Sequence, residues 1–458
     1  MTQARTNPSA PDEAPRPVTF ADAFRFWLKL GFISFGGPAG QIAIMHQELV
    51  ERQRWISEKR FLHALNYCMV LPGPEAQQLA TYLGWLMHRT WGGIVAGGLF
   101  VLPSLFILIG LTWIYMAFGN LPVVAGILYG IKPAVTAIVL HAAWRIGSRT
   151  LRNAWTWSIA VAAFIAIFAL HLPFPAIILA AALVGWIGGR VAPDKFRSGG
   201  AHAGADKSYG RALIDDDTPT PEHARFTRAR LATVITAGIG LWAISMALLI
   251  AAAGSDGVLA QIGGFFTKAA LLTFGGAYAV LPYVYQGAVD TYQWLTPEQM
   301  IDGLALGETT PGPLIMVVAF VGFVGGWTKA AAGAMPGGDM LWLAGAAGAA
   351  VATWFTFLPS FIFILAGGPV VESTHGRLGF TAPLTGITAA VVGVIVNLAV
   401  FFAWHVLMPD NNEGRFDWPS LVIGILAWLA LTRYKQGVIR VILGCGAAGL
   451  LLKLVAGT

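Results

Sequence analysis

Gly and Pro cluster inside apolar sequence at two places, and both clusters recur once. FGGP at Phe35–Pro38 returns as FGGA at Phe274–Ala277, and the PGP of LPGPEAQQ (Leu71–Gln78) returns in TPGP at Thr310–Pro313. Both returns lie 239 residues on, and the same offset carries Phe26, Lys29, Gln47 and Trp55 onto Phe265, Lys268, Gln286 and Trp294. Chance does not hold one register through so many Gly, Pro and Trp matches, so the chain contains an internal duplication. Farther on, LPS at Leu102–Ser104 returns at Leu358–Ser360, and Gly130, Ile131, Ala134 and Val135 return at Gly386, Ile387, Ala390 and Val391, now 256 residues on. The step between the two offsets places a 17-residue insertion near Gly325–Leu341.

A repeat of this kind needs a solvent, and composition names it. The 458 residues are 56% apolar and only 11% charged, where a soluble domain carries about 25% charged residues. Mean hydropathy is +0.66, and apolar runs long enough to cross a bilayer recur throughout. The expected fold class is an all-α polytopic membrane protein. It has two inverted-topology repeats of six apolar segments, joined by one unpaired transmembrane helix, with helices broken at GGP and PGP. The expected boundaries are a disordered cytoplasmic tail at 1–19, a first repeat at 20–190, a polar, solvated cytoplasmic linker at 191–230, the unpaired helix at 231–254 and a second repeat at 262–456. Met1–Val18 is polar and Pro-rich and is not expected to be a cleaved signal. Cys68 and Cys445 lie in apolar runs without metal or redox spacing.

Basic residues argue for the inversion. Arg52, Arg54, Lys59 and Arg60 follow the first segment and Arg145, Arg149 and Arg152 follow the fourth, whereas the matching loops of the second half are poor in Lys and Arg. Between the fifth and sixth segments the bias reverses: His171–Phe174 has no Lys or Arg, and its counterpart holds Arg433 and Lys435. By the positive-inside rule the repeats lie oppositely, with the N-terminus cytoplasmic and the C-terminus periplasmic. If all segments cross, the Arg52–Arg60 cluster lies outside; if the first two segments of each repeat enter and return, breaking at GGP and PGP, that cluster stays inside and every other loop keeps its side. Thirteen full crossings is the alternative. The positive net charge records loop sidedness and not nucleic-acid affinity.

Gly-Gly-Pro and Pro-Gly-Pro stop a helix and restart it. A helix restarting at membrane depth presents free N–H groups and the positive end of its dipole, which suits an anion. The expected substrate contacts are therefore Gly36, Gly37, Gly73, Gly275, Gly276 and Gly312, with hydroxyls from Thr309 and Thr310 and amides from Gln77 and Gln78. Lys29 and Lys268 precede the breaks and would complement a divalent anion; the competing reading is a pair of snorkelling lysines. Lys132, whose repeat-mate is Thr388, is a third cationic candidate. Glu75, Glu308 and His141 are the candidates for proton coupling, against ordinary capping or structural hydrogen bonding. Trp55 and Trp294 are expected at the membrane interface, each followed by an N-cap at Ser57 or Thr296. No metal-ligand cluster, nucleophile triad, Walker loop or dinucleotide fingerprint occurs in suitable context. The expectation is no cofactor, no metal and no enzyme reaction.

FGGP followed by LPGPEAQQLATYLGW, the repeated PGP and the unpaired central segment resemble the long-chain chromate ion transporter family (CHR) over nearly the whole chain. The resemblance implies chromate efflux across a bacterial inner membrane, chromate resistance, two oppositely oriented halves and a drive from the ion gradient. Protons and the chromate anion are the implied partners, with the lipid bilayer around the chain; a homodimer is compatible and not required. The family motifs fall on Phe35–Pro38, Leu71–Gln78 and Thr310–Pro313, with one departure at Ala277, where the first copy has Pro38. The residues alone support an oxyanion transporter and leave sulfate beside chromate; a membrane enzyme acting on an oxyanion and a passive channel are the remaining alternatives.

Overall fold

The structure, a computed structural model, describes residues 15–35, 37–119, 121–196, 209–333, 340–374, 381–409 and 415–456. These are helical throughout apart from loops and one isolated β-bridge between Ile56 and Ile214. Each Gly/Pro cluster interrupts a helix. Helix α1 (Phe20–Ile33) stops before the first cluster; α2 (Gly37–His46) restarts after it and runs into a π-turn at Gln47–Arg52. Helix α3 (Glu58–Val70) stops at Leu71, and α4 (Glu75–Phe118) restarts after Pro74.

The chain continues through α5 (Pro122–Thr150), α6 (Ala154–Phe168), α7 (Phe174–Val191), a short α8 (Pro193–Phe196) and α9 (Arg228–Ala253). The opening pattern then returns. Helix α10 (Val258–Leu271) breaks before α11 (Ala277–Tyr285), which runs into a π-turn at Gln286–Thr291. Helix α12 (Pro297–Thr309) breaks before a 3-10 turn and α13 (Val317–Ala331). Last come α14 (Leu341–Thr374), α15 (Thr381–Leu407), α16 (Trp418–Thr432) and α17 (Val438–Ala456). Backbone detail repeats as well: Arg54 and Gln293 take φ of 51° and 50°, and Gly73 and Gly312 take 127° and 103°.

The 44-residue span of α4 is a hairpin. His88 and Arg89 leave helical geometry, and beyond them Gly92 and Ala96 return against Gly84, while Gly97 returns against Gln77 and Thr81. Its mates α13 and α14 make the same antiparallel pair, with Gly322 against Gly348 and Ala352. There the turn is replaced by a longer connection, whose residues 334–339 lie outside the described residues. The sequence insertion therefore lengthens one helical hairpin loop and disturbs no packed element.

Among the described residues, eight helices are long and apolar enough to cross a membrane, and this is a multi-pass all-α membrane protein. Polar groups lie inside and apolar groups outside, as a lipid solvent requires. Gln77, Gln78, Thr81 and Ser104 are fully buried, while Trp157, Leu183, Ile244, Leu426 and Leu454 are exposed. No residue of α9 is buried. The halves interlock: α5 packs on α15, α16 and α17, and α15 packs in turn on α6 and α7. Glycines permit this closeness. Gly130 lies on Cys445 and Gly449 of α17, and its repeat-mate Gly386 lies on Ala181 and Gly185 of α7.

Two expectations need correction. Trp55 and Trp294 are not interfacial anchors: both are buried, packing edge-on against Phe26 at 5.1 Å and Phe265 at 5.5 Å. The rings of each half fill the space between a broken pair of helices, which burial of apolar area favours over the interface. The polar linker is not wholly solvated either. Leu213 and Ile214 donate backbone hydrogen bonds to Arg54 and Trp55, Ser57 donates one back to Ile214, and Ala224 is fully buried. Ser57 and Thr296 do cap α3 and α12.

The glycine contacts give a stability test. Gly130→Leu and Gly386→Leu should each overpack a helix crossing by about 1–3 kcal/mol, lowering the melting temperature of the detergent-purified protein. Gly98→Ala and Gly444→Ala, where an added Cβ meets nothing within 4 Å, should not. Equal melting for all four variants would contradict these crossings.

Candidate functional site

The breaks of one half are completed by the other. Within Pro72-Gly73-Pro74 the glycine supplies the sole backbone N–H, since proline has none. Gly73 donates it to the Thr273 carbonyl at 2.7 Å, at the break between α10 and α11. Gly312, the corresponding glycine, donates to the Ser34 carbonyl at 2.8 Å, at the break between α1 and α2. Ser34 and Thr273 share the 239-residue offset, as do Gly73 and Gly312.

The repeated LPS motif supplies the third side of each crossing. Gly73 lies against Ser360 and Gln78, and Gly312 lies against Ser104. The positive φ at both glycines and the close approach leave no room for a side chain.

Side chains then break the symmetry. Gln41 donates to the Ser34 carbonyl at 3.3 Å and to the Gly312 carbonyl. Gln78 donates to the Pro72 carbonyl at 2.8 Å, and Gln77 donates to Thr81 Oγ1 at 2.9 Å. Among the described residues, Ser34 Oγ, Gln41 Oε1, Gln77 Oε1, Gln78 Oε1 and Ser104 Oγ are buried without a hydrogen-bond partner. The second half offers Val280, Met316 and Val317 where the first has Gln41, Gln77 and Gln78. Thr273, the mate of Ser34, spends its hydroxyl on the Ala269 carbonyl at 2.7 Å. Unpartnered buried polar atoms are disfavoured by roughly 1–3 kcal/mol each; Ser34, Gln41 and Ser104 gather at the Gly312 crossing, Gln78 lies at the Gly73 crossing, and Gln77 lies beside it in sequence, a set suited to a polar ligand. Serine hydroxyls and reorientable glutamine amides can both donate. The restarts at Glu75, Ala277 and Leu314 carry no side-chain cap, so their leading N–H groups remain for a ligand.

The other sequence candidates are dispersed. Gly36 lies outside the described residues. Gly37 begins α2 with φ 72°, and Gly275 and Gly276 precede α11 with φ 81° and 99°. Lys29 and Lys268 are exposed; Lys29 lines a cavity of about 250 Å³ with Arg25, Asp22, Glu48 and Gln53. Thr309 and Thr310 donate their hydroxyls to the carbonyls of Leu306 and Gly307 within α12. Lys132 lies 3.6 Å from Asp302 of α12. Glu308 accepts from Tyr278. Glu75 is half-buried in the first turn of α4, and His141 lies edge-on to Trp428 at 6.3 Å.

Sequence reasoning missed Ser34, Gln41, Ser104, Ser360 and Asp302. Ser34 and the two LPS serines carried a signal in the repeat itself. Gln41 and Asp302 have Val280 and His63 as mates, and a repeat alignment is silent on them.

A helical membrane protein whose centre is made of interrupted helices from two similar halves has the build of a solute-handling protein, not of a receptor or structural span. The sequence profile of the chromate transporter family matches residues 21–186 and 260–450, and the chain belongs to that family. The two matched blocks take in every break and omit α9. Among similar proteins, the chromate transport protein of Pseudomonas aeruginosa is 32% identical over 96% of this chain and 94% of its own. That of Cupriavidus metallidurans is 28% identical over 91% of this chain and 89% of its own. A probable chromate transport protein of Synechococcus elongatus is 28% identical over 89% and 88%. No solved structure matches.

Gly312→Ala should destabilise the protein by about 1–3 kcal/mol, because the residue is both left-handed and pressed on Ser104. Gly37→Ala, with an open surround, should lose clearly less. Melting curves that rank the two the other way would contradict the crossing.

Proposed function

We propose that this protein is a secondary transporter that exports chromate from the cytoplasm across a bacterial inner membrane, driven by the proton gradient, and so confers chromate resistance. The observation that carries the reading is the crossed pair of breaks, which gathers unpartnered buried polar groups and uncapped helix starts at one centre. The names of the Pseudomonas and Cupriavidus relatives support chromate as the solute. In this reading the segments 20–190 and 262–456 are inverted repeats, with 231–254 turning the second copy over and 191–230 on the cytoplasmic side. The protein is a carrier and performs no covalent chemistry.

The anion sits among Ser34, Gln41, Gln77, Gln78 and Ser104, with N–H groups after Gly73 and Gly312. Lys29 and Lys268, being exposed, meet it on approach. Alternating access follows from rocking one half against the other around the crossing. Glu75, Glu308 and His141 stand as proton-coupling candidates from sequence.

The test is chromate flux in inverted vesicles, with and without an imposed pH gradient and with excess sulfate. Gradient-dependent chromate accumulation is expected, falling about tenfold or more in Ser104→Ala and in Lys29→Ala as a charge-assisted contact is lost. Accumulation indifferent to the gradient points to a channel. Equal inhibition by sulfate makes chromate one oxyanion among several. Wild-type flux from both variants removes this site.

A further inference from the structure

We propose that Asp302 is the proton-binding carboxylate that couples the transport cycle to the gradient, with Lys132 as the partner it holds and releases. The proposal rests on the proton-driven transporter reading and assigns coupling to a residue outside the candidates above.

Asp302 lies on α12 and is 3% exposed. Its Oδ2 accepts from the Tyr115 hydroxyl at 3.0 Å and lies 3.6 Å from Lys132 Nζ. Its Oδ1 is buried without a partner among the described residues. The three residues come from α4, α5 and α12, so the ion pair fastens the first half to the second. A carboxylate in so apolar a place is stable as an anion only while its partners stay. One proton on Oδ1 removes the charge that holds Lys132 and unfastens the halves. Lys132 keeps 28% of its side chain exposed against 4% for Asp302, so the lysine is the less confined partner.

Among the described residues, the surrounding charged and titratable groups offer no second cation. Glu298, four residues earlier on α12, adds a like charge that reaches Asp302. On α5, Arg145 acts on Glu308 instead, and His141 packs on Trp428. From α17, Lys453 lies over the Tyr129 ring. Lys329 is in the last turn of α13, and His405 of α15 bonds to the Phe401 carbonyl.

The experiment uses the full chain in proteoliposomes and separates coupling from translocation. Labelled-chromate exchange at equal pH needs no net proton movement; gradient-driven accumulation and chromate-dependent proton uptake do. Asp302→Asn should keep exchange within about threefold of wild type while driven accumulation and proton uptake fall about tenfold or more. Tyr115→Phe should keep both but shift the pH profile of driven uptake to higher pH, since the charged carboxylate loses a donor. Asp302→Asn that still accumulates chromate against the gradient overturns the proposal. So does loss of exchange together with accumulation, or an Asp302→Asn that does not fold alongside a Tyr115→Phe with an unshifted profile. Absence of exchange from wild type itself is a different result, because it removes the transporter reading beneath.

Discussion

Two backbone hydrogen bonds, from Gly73 to Thr273 and from Gly312 to Ser34, are the interaction on which the rest of this structure depends. In lipid, backbone that leaves the helix must find its partners inside the protein. A Pro-Gly-Pro turn has one N–H to place and cannot place it locally. A helix that stops at Ser34 or Thr273 has carbonyls left over. Each half therefore carries a surplus donor at one break and a surplus acceptor at the other, and the two halves cancel both by crossing. Neither half completes its own breaks, so they fold as one unit despite descending from a duplicated stretch.

The crossing is symmetric in backbone and asymmetric in side chains. Symmetry at the glycines and at Ser104 and Ser360 lets each half meet the other with the same geometry. Asymmetry at Gln41, Gln77 and Gln78, against Val280, Met316 and Val317, confines the polar centre to the first half's side. The departure at Ala277 from Pro38 falls in line with this: the second copy keeps the frame and gives up the polar lining. The frame repeats in both halves, while the polar lining is supplied by the first half. Frame and lining are separate demands, and the sequence divides them between positions that repeat and positions that do not.

That division also explains what was legible. The breaks were readable because Gly and Pro act locally, and the hairpin insertion was readable because it changes an offset. The caps at Ser57 and Thr296 follow from residue type alone. The placement of Lys29 was readable too, had helical phase been weighed above the repeat. Ala23, Trp27 and Leu30 form the buried face of α1, and position 29 falls off that face by about 100° per residue. Trp55 and Trp294 misled because a Trp beside an apolar segment is ordinarily interfacial; their repetition together with Phe26 and Phe265 was the sign of a packed pair. Asp302 was out of reach. Its partners Lys132 and Tyr115 come from distant helices, and a comparison of the halves selects shared residues.

Two charged groupings join the halves. On the linker side, Arg60 of α3 lies 3.7 Å from Glu372 of α14, which also accepts from Tyr82. Lys132 of α5 lies 3.6 Å from Asp302 of α12, which also accepts from Tyr115. Both sets join a tyrosine, a carboxylate and a cation across the halves. Arginine does not lose its proton in proteins, and Arg60 also donates to the Thr218 carbonyl of the docked linker. Lysine and aspartate lie at much the same separation, and Asp302 Oδ1 has no hydrogen-bond partner among the described residues. In the proposal made for Asp302, one proton releases the second pair, while the Arg60 pair, whose cation keeps its charge, stays in place.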